Sequence, residues 1–232
     1  MSLPLLNDKP EYTLTVPSNG KKVNYRPYLV KEEKVLLMAA ESKDENEIIR
    51  AIENTVAACI DDSIDVTRLC TFDLEYMFLQ LRSKSTGENS DILIKCQSCD
   101  EKNEVVIPLS DVNCSERTTE SNVIELTKEI SLEMRYPSYR DMNLSSDNED
   151  KFGFEVISRC IEAVLTEDER IVIGEEKTED IEKFVESMTQ EQFKRIIDFI
   201  QEMPTLKYDL NFVCQSCGAI NEREIRGIQS FF

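Results

Sequence analysis

The stretch ILIKCQSCDEKNEVVIPL, residues 92–109, contains a Cys-Gln-Ser-Cys loop between two strand-like runs. The stretch YDLNFVCQSCGAINEREI, residues 208–225, repeats the same four letters in the same setting. Structural zinc takes four ligands in a tetrahedron, and one Cys-x-x-Cys loop supplies two thiolates. The two loops therefore predict a single zinc-ribbon-like site for one structural Zn²⁺, whose ligands are Cys96, Cys99, Cys214 and Cys217.

The distance between the two loops in the sequence is unusual. It amounts to 114 residues, whereas compact zinc motifs separate their ligand pairs by about 12–20 residues. Because the entropic cost of closing a loop grows only logarithmically with its length, a distant pair is still allowed. We expect the intervening residues to form an inserted subdomain. Free thiols, a redox dithiol and an iron–sulfur site are the alternatives, although redox loops usually begin a helix.

The composition narrows the function classes. The chain has 232 residues, 41% hydrophobic and 31% charged, which is typical of a globular protein. A net charge of −19 disfavours binding to nucleic acid and to anionic membranes, so we expect protein partners. The sequence has no histidine, the commonest general base, and we expect neither an enzyme nor a small-molecule ligand. Without a secretory or membrane-spanning pattern, we expect a soluble protein made in a reducing cytosol.

The remaining pattern predicts an α+β fold, with two helical clusters around short antiparallel strands. A hairpin is expected from residues 12–16 and 23–28, across the turn Pro17-Ser18-Asn19-Gly20. Helices are expected at 31–41, from 44 to about 60, and at 72–82, 151–165, 178–188 and 189–203. Strands are expected at 91–95, 103–108, 121–126, 130–136, 205–213 and 221–225. Cysteines outside the two loops are expected to pack as small hydrophobic side chains; they are Cys59, Cys70, Cys114 and Cys160.

These elements group into four regions of the sequence. Residues 1–90 form an N-terminal hairpin and helical region, and residues 91–142 form a strand-rich region with the first cysteine loop. Residues 143–204 form a second helical region, which begins with the polar linker NLSSDNED. Residues 205–232 carry the second cysteine loop and a C-terminal strand, which we expect to pack back on the first loop.

Several phrases in a fixed order carry a family resemblance. They are YRPYLVKEEKVLLMA (25–39), FDLEYMFLQLRSKSTGE (72–88), CQSC (96–99), LEMRYPS (132–138), FIQEMPTLKYDLNFVCQSCG (199–218) and the terminal SFF. From about Tyr12 to Phe232, the chain resembles the baseplate hub subunit and assembly family of T-even-type contractile-tailed bacteriophages. The resemblance implies a structural or assembly protein of the tail baseplate hub, with other hub or tail proteins as partners. It implies a location in the host cell cytoplasm during assembly, with the virion as an alternative, and it brings no catalytic residues.

Two surfaces are candidates for docking such partners, namely the aromatic end Phe231-Phe232 and the hairpin edge Arg26-Pro27-Tyr28. Two other functions compete with the assembly role. A zinc-ribbon protein that binds nucleic acid would need a basic face, which the net charge disfavours. A thiol-redox protein would need a cysteine of low pKa at the start of a helix.

Overall fold

The structure is a computed structural model of the chain, and it describes residues 9–61, 64–116, 121–142 and 149–228. For residues 149–153 it describes the backbone alone. The predicted docking residues Phe231 and Phe232 lie outside the described residues, as does most of the linker predicted at 143–150.

The described residues combine helices with short antiparallel strands, which confirms the predicted α+β fold. The helices are α1 (Val30–Ser42), α2 (Glu45–Cys59), α3 (Thr71–Ser85), α4 (Tyr139–Met142), α5 (Glu149–Cys160), α6 (Thr178–Glu186) and α7 (Gln190–Gln201). The strands are β1 (Tyr12–Thr15), β2 (Lys22–Tyr25), β3 (Asn89–Lys95), β4 (Lys102–Pro108), β5 (Asn113–Cys114), β6 (Val123–Glu125), β7 (Ser131–Met134), β8 (Ile161–Leu165), β9 (Arg170–Val172), β10 (Leu206–Val213) and β11 (Ile220–Arg226).

The chain divides into two compact units. Unit 1 comprises the chain up to Ser115 together with the chain from Thr205 onward, and unit 2 is Glu116–Pro204. Unit 1 contains the hairpins β1–β2 and β3–β4 and the three-stranded sheet β11-β10-β5. Unit 2 contains the four-stranded sheet β6-β7-β8-β9, and every strand pair in both units is antiparallel.

The N-terminal part of unit 1 follows the sequence pattern closely. The predicted hairpin forms with Tyr12 opposite Tyr25, and Gly20 in its turn has a φ of 70°, which glycine adopts without strain. Asp44 caps α2 by accepting the amide of Asn46 at 2.8 Å. Helix α3 supplies the largest group of fully buried side chains in this unit, namely Phe72, Met77, Leu79 and Leu81.

The predicted docking edge at Arg26-Pro27-Tyr28 is used inside unit 1. The Arg26 guanidinium donates to the Glu32 carboxylate at 3.0 Å and to the Ala58 carbonyl at 2.8 Å. The Tyr28 backbone amide donates to the Ser85 hydroxyl at 3.0 Å, and the Tyr28 side chain is buried. These contacts contradict the hypothesis of a free docking edge, because the polar groups of the segment are already bonded within the unit.

Unit 2 corrects one sequence prediction. A helix was expected from 151 to 165, but α5 ends at Cys160 and the next five residues form β8. Strand β8 pairs with β7 on one side and with β9 on the other, so it lies in the middle of the sheet. Its residues Ile161, Ala163 and Val164 are buried, and tertiary pairing of this apolar run overrides the helical periodicity.

The two ends of unit 2 join unit 1 at neighbouring residues. The Ser115 amide donates to the Thr205 carbonyl at 2.9 Å, and the Thr205 amide donates to the Ser115 hydroxyl at 3.0 Å. The adjoining residues Cys114 and Leu206 are paired between β5 and β10. Unit 2 is therefore an insertion whose entry and exit lie on two adjacent strands of unit 1.

Candidate metal centre

Each cysteine loop connects the two strands of one hairpin. The first loop follows β3 and leads into β4, and its closing bond runs from the Cys96 amide to the Glu101 carbonyl at 2.8 Å. The second loop joins β10 to β11, where the Cys214 amide donates to the Ala219 carbonyl at 2.9 Å. Both loops turn through a left-handed residue at the same position, Asp100 with a φ of 57° and Gly218 with a φ of 73°. The two loops thus have the same backbone form.

The structure brings the four predicted ligands together. Their four sulfur atoms lie within 4.8 Å of one another, although the loops are far apart in the sequence. Two distances between the loops, Cys96 Sγ to Cys217 Sγ and Cys99 Sγ to Cys214 Sγ, are both 3.7 Å. A tetrahedral zinc ion with Zn–S bonds of about 2.3 Å requires sulfur separations of about 3.8 Å. The donor set and its spacing therefore fit a tetrahedral thiolate centre for a metal ion such as Zn²⁺, while the ligand role of each cysteine stays a prediction.

Hydrogen bonds favour the thiolate form of the first, inner cysteine of each loop, Cys96 and Cys214. The Ser98 amide approaches Cys96 Sγ at 3.4 Å, and this bond is the main reason why the pKa of Cys96 falls to about 6. The pKa of Cys214 is likewise lowered, chiefly by the Cys217 amide. These two side chains are buried, whereas Cys99 and Cys217 are exposed.

The outer cysteine Cys99 has the opposite tendency. The Glu101 amide lowers its pKa, but hydrogen bonding with the neighbouring thiols, Cys217 first, outweighs that effect and raises the pKa to about 12. Without a cation, neighbouring sulfur atoms cannot all be negative, so the cluster retains protons. A bound divalent ion would release these protons, since only thiolates act as ligands.

Two asparagines that the sequence analysis did not single out belong to this centre. Asn103, on β4 of the first hairpin, is 3% exposed, and its Nδ2 lies 3.5 Å from Cys214 Sγ in the second loop. Its Oδ1 accepts the amide of Gln215 at 2.9 Å. One side chain of the first hairpin thus contacts both a sulfur atom and the main chain of the second loop.

Asn221 makes the reciprocal contacts from β11. It is fully buried, its Nδ2 lies 3.5 Å from Cys96 Sγ, and its Oδ1 accepts the Gln97 amide at 2.7 Å. Each asparagine stands seven residues after the first cysteine of its own loop. This shared offset is a repeat of Cys-Gln-Ser-Cys-x-x-x-Asn, and it was the available signal in the sequence.

The other four cysteines do not join the centre. Cys59, Cys70 and Cys160 are buried and Cys114 is half-buried, in agreement with the predicted packing role. Burial raises the pKa of Cys59 to about 11 and that of Cys114 and of Cys160 to about 12. These thiols therefore stay protonated near neutral pH. The Cys70 thiol also donates to the Asp73 carboxylate at 3.0 Å.

Within the part of the chain that the structure describes, no helix is both long and apolar enough to cross a membrane.

Comparisons with known proteins place the chain in a family. No curated protein and no solved structure gave a match to the chain. A family model described as "T4 bacteriophage base plate protein" matches residues 9–232, which is almost the whole chain. The chain therefore belongs to the T4 bacteriophage base plate protein family and is a structural protein of a phage tail baseplate.

Proposed function

We propose that this protein acts at the central hub of the baseplate, as a structural or assembly component that works through contacts with other tail proteins and catalyses no reaction. The observation that carries the proposal is the family match over residues 9–232. Because the match includes both cysteine loops and the insertion between them, it describes the whole chain rather than one module. The assignment to the hub rests on the ordered phrases that resemble the hub family.

We further propose that the four cysteines hold one structural Zn²⁺. The ion would supply a cross-link between the two hairpins, and the chain supplies Cys96 and Cys99 from one hairpin and Cys214 and Cys217 from the other. A centre closed by four thiolates has no open position for a substrate, which supports a structural rather than a catalytic role. The loops connect strands and not helices, which also favours a metal over a redox dithiol.

Native mass spectrometry of the purified full chain tests the metal. We expect one zinc per chain and four thiols that resist alkylation until a chelator is added. A chain that carries no zinc, or thiols that react equally fast with and without chelator, would contradict the metal and leave the baseplate role intact. Iron with its visible absorption would favour the iron–sulfur alternative.

Helix α1 offers a surface for contacts with another baseplate protein. Its residues Val30, Leu37 and Met38 are 79%, 61% and 61% exposed. On a helix, positions 30, 37 and 38 lie on one face, so these side chains form an apolar patch on the surface of unit 1. Membership in the family indicates that tail or baseplate proteins are the partners of such a patch.

Co-purification from infected cells tests the patch and the hub assignment together. We expect the tagged chain to recover central hub proteins, and the double substitution Leu37→Glu with Met38→Glu to abolish that recovery. The double substitution Ala40→Glu with Asn46→Glu is the matched control, since both residues are exposed, on α1 and α2, and the pair adds the same two negative charges without removing a large apolar side chain. Recovery of peripheral baseplate proteins alone would contradict the hub assignment, and equal recovery by both variants would contradict the α1 surface.

The location during assembly is tested with the same cells. We propose that the protein gathers in the host cytoplasm before it joins the tail. Quantitative mass spectrometry of the unassembled fraction and of purified virions measures how the chain divides between them. A chain found in virions and never in the unassembled fraction would contradict a cytoplasmic assembly stage.

A further inference from the structure

The strongest unassigned feature is the exchange of side-chain contacts between the two cysteine hairpins. We propose that Asn103 and Asn221 are the positioning residues of the metal centre, each of which sets the cysteine loop of the opposite hairpin. The proposal rests on the proposed metal site and goes beyond it, because it assigns the geometry of the four sulfur atoms to two residues that bind no metal.

Each asparagine uses its amide for two different contacts across the hairpins. The Asn221 oxygen accepts the Gln97 amide at 2.7 Å, which fixes the backbone directly after Cys96. The Asn221 nitrogen donates toward Cys96 Sγ at 3.5 Å, within the range of a hydrogen bond to sulfur. One contact sets where the loop lies, and the other sets where the sulfur points.

The same two contacts run in the other direction from Asn103. Its oxygen accepts the Gln215 amide at 2.9 Å and its nitrogen donates toward Cys214 Sγ at 3.5 Å. Both asparagines are almost fully buried, so water cannot replace either contact without opening the centre. The four-sulfur arrangement therefore depends on two side chains that act from opposite sides.

A simpler role competes with this one. Each asparagine also donates to a carbonyl of its own hairpin, Asn103 to Glu101 at 2.9 Å and Asn221 to Ala219 at 3.0 Å. A residue that only closed its own turn would stabilise that hairpin and leave the sulfur atoms of the other loop unchanged. The oxygen contacts and the sulfur contacts are made across the hairpins, so the two roles differ in what a substitution changes.

The substitution Asn221→Asp removes both bonds that the Asn221 nitrogen donates, to Cys96 Sγ and to the Ala219 carbonyl, so the two roles are separated by a spectroscopic signal from the sulfur atoms and not by stability alone. It keeps the oxygen that accepts the Gln97 amide, and it replaces the donor that faces Cys96 Sγ by a second oxygen, which repels a thiolate. Asn103→Asp makes the same change toward Cys214. Asn211→Asp is the matched control, because Asn211 is exposed on β10 of the same hairpin and the change adds an equal charge.

The experiment uses the full chain loaded with Co²⁺ or Zn²⁺, with a chromophoric chelator as competitor. We expect each of the variants Asn221→Asp and Asn103→Asp to bind either ion about 10–100-fold more weakly than the wild type, as is typical when an outer partner of a metal ligand is lost. We also expect the thiolate-to-cobalt charge-transfer band to move to lower energy, since a sulfur without its donor holds its electrons less tightly. Asn211→Asp should match the wild type in both measurements.

Different outcomes bear on different claims. If the wild type binds neither ion, the proposed metal fails and this inference fails with it. If the wild type binds but both asparagine variants keep its affinity and its charge-transfer band, the metal stands and the positioning role is overturned. Circular dichroism covers the remaining case: if both variants are unfolded even with excess metal, the two residues are needed for the fold itself and the positioning role is again overturned.

Discussion

The cysteine hairpins and unit 2 are held together in different ways. Unit 2 has one contiguous apolar core, whose fully buried members include Leu132, Cys160 and Ile196. The ends of the hairpins near the sulfur atoms have little apolar core, because the large hydrophobic residues there are exposed. Leu93, Val213 and Ile220 are 63%, 61% and 74% exposed. The side chains of Cys96 and Cys214 and two asparagines are the buried groups there instead.

The difference shows what stabilises unit 2 and what stabilises the cysteine hairpins. A packed core is stabilised by the apolar area that it removes from water, and it needs no ligand. A small two-stranded hairpin is marginal by itself, so the paired hairpins need a cross-link or further packing. We therefore expect that metal removal and core substitutions affect different parts of the chain.

The largest effect is expected from removing the metal. Cys214→Ser removes a ligand and should lower metal affinity by more than about 100-fold, the upper range for loss of a residue that only contacts a ligand. A chelator should remove the metal from the wild type. Hydrogen exchange should then accelerate in residues 89–108 and 206–226, while the amides of unit 2 keep their protection. Cys114→Ser is the control, as it removes a half-buried thiol outside the centre. Equal acceleration in both units would show that the metal stabilises the whole chain.

A core substitution should give the converse result. Phe199 is buried in unit 2 and its ring stacks on Tyr136, with the ring centroids 4.7 Å apart. Phe199→Ala should lower the free energy of unfolding of unit 2 by about 3–5 kcal/mol, through lost burial and the cavity that remains. Hydrogen exchange at increasing denaturant concentration measures this loss of unfolding free energy in unit 2. Phe199→Leu should cost less, and a fall in zinc affinity in either variant would contradict the separation.

A half-buried ion pair in unit 2 gives a smaller effect that depends on pH. Arg135 binds Asp141 through two hydrogen bonds of 2.7 and 2.9 Å, and the Ser138 amide donates to the same carboxylate at 2.8 Å. Burial alone would raise the pKa of Asp141, but the bonds from Arg135 and Ser138 outweigh it and hold the pKa below its ordinary value. Asp141→Asn should cost about 1.5–3 kcal/mol at neutral pH, the range for hydrogen bonds to charged groups.

The sign of the pH dependence follows from the lowered pKa. The stabilisation by Asp141 is fully present above the unfolded pKa of about 3.9 and is lost as the pH falls through the lower folded value. Unfolding of unit 2 in the wild type should therefore become easier below about pH 4. The Asn variant should show a flatter dependence in that range. An identical slope in both chains would mean that other carboxylates govern the acid response.

A helix cap should give a still smaller effect. The Thr189 hydroxyl accepts the Gln192 amide, and the Gln192 side chain accepts the Thr189 amide at 2.8 Å, which forms the capping box at the start of α7. Thr189→Ala should cost about 1 kcal/mol, because one helix amide loses its acceptor. Thr189→Ser retains that acceptor and should cost less. Thermal unfolding of both variants measures the difference, and equal losses would assign the effect to the threonine methyl group.

The sequence predicted the elements that local chemistry determines. The capping box of α7, the hairpin turn at Gly20 and the paired cysteine loops all depend on residues within a few positions of one another. Strand β8 could not be recognised in this way, because Ile161–Leu165 continues the apolar pattern of α5 and becomes a strand only through pairing with β7 and β9. Long-range pairing leaves no local signal in such a run.

The candidate site was predicted in part for the same reason. The four cysteines could be identified from the spacing within each loop, which is a local feature. The role of Asn103 and Asn221 depends on the two loops facing each other, so that each side chain reaches the sulfur of the other hairpin. The repeated offset of seven residues marks both asparagines but does not say what they contact.

The smallest effect is expected from removing unit 2 altogether. Ser115 and Thr205 are joined by hydrogen bonds of 2.9 and 3.0 Å, so a short Gly/Ser linker can replace residues 116–204 without moving either strand. Because the four cysteines and both asparagines belong to unit 1, we expect the shortened chain to bind zinc with the affinity of the full chain. Chelator competition on the two chains measures this. A marked loss of affinity in the shortened chain would show that the insertion supports the metal centre, and the contrast between a metal-held and a core-held unit would then have to be abandoned.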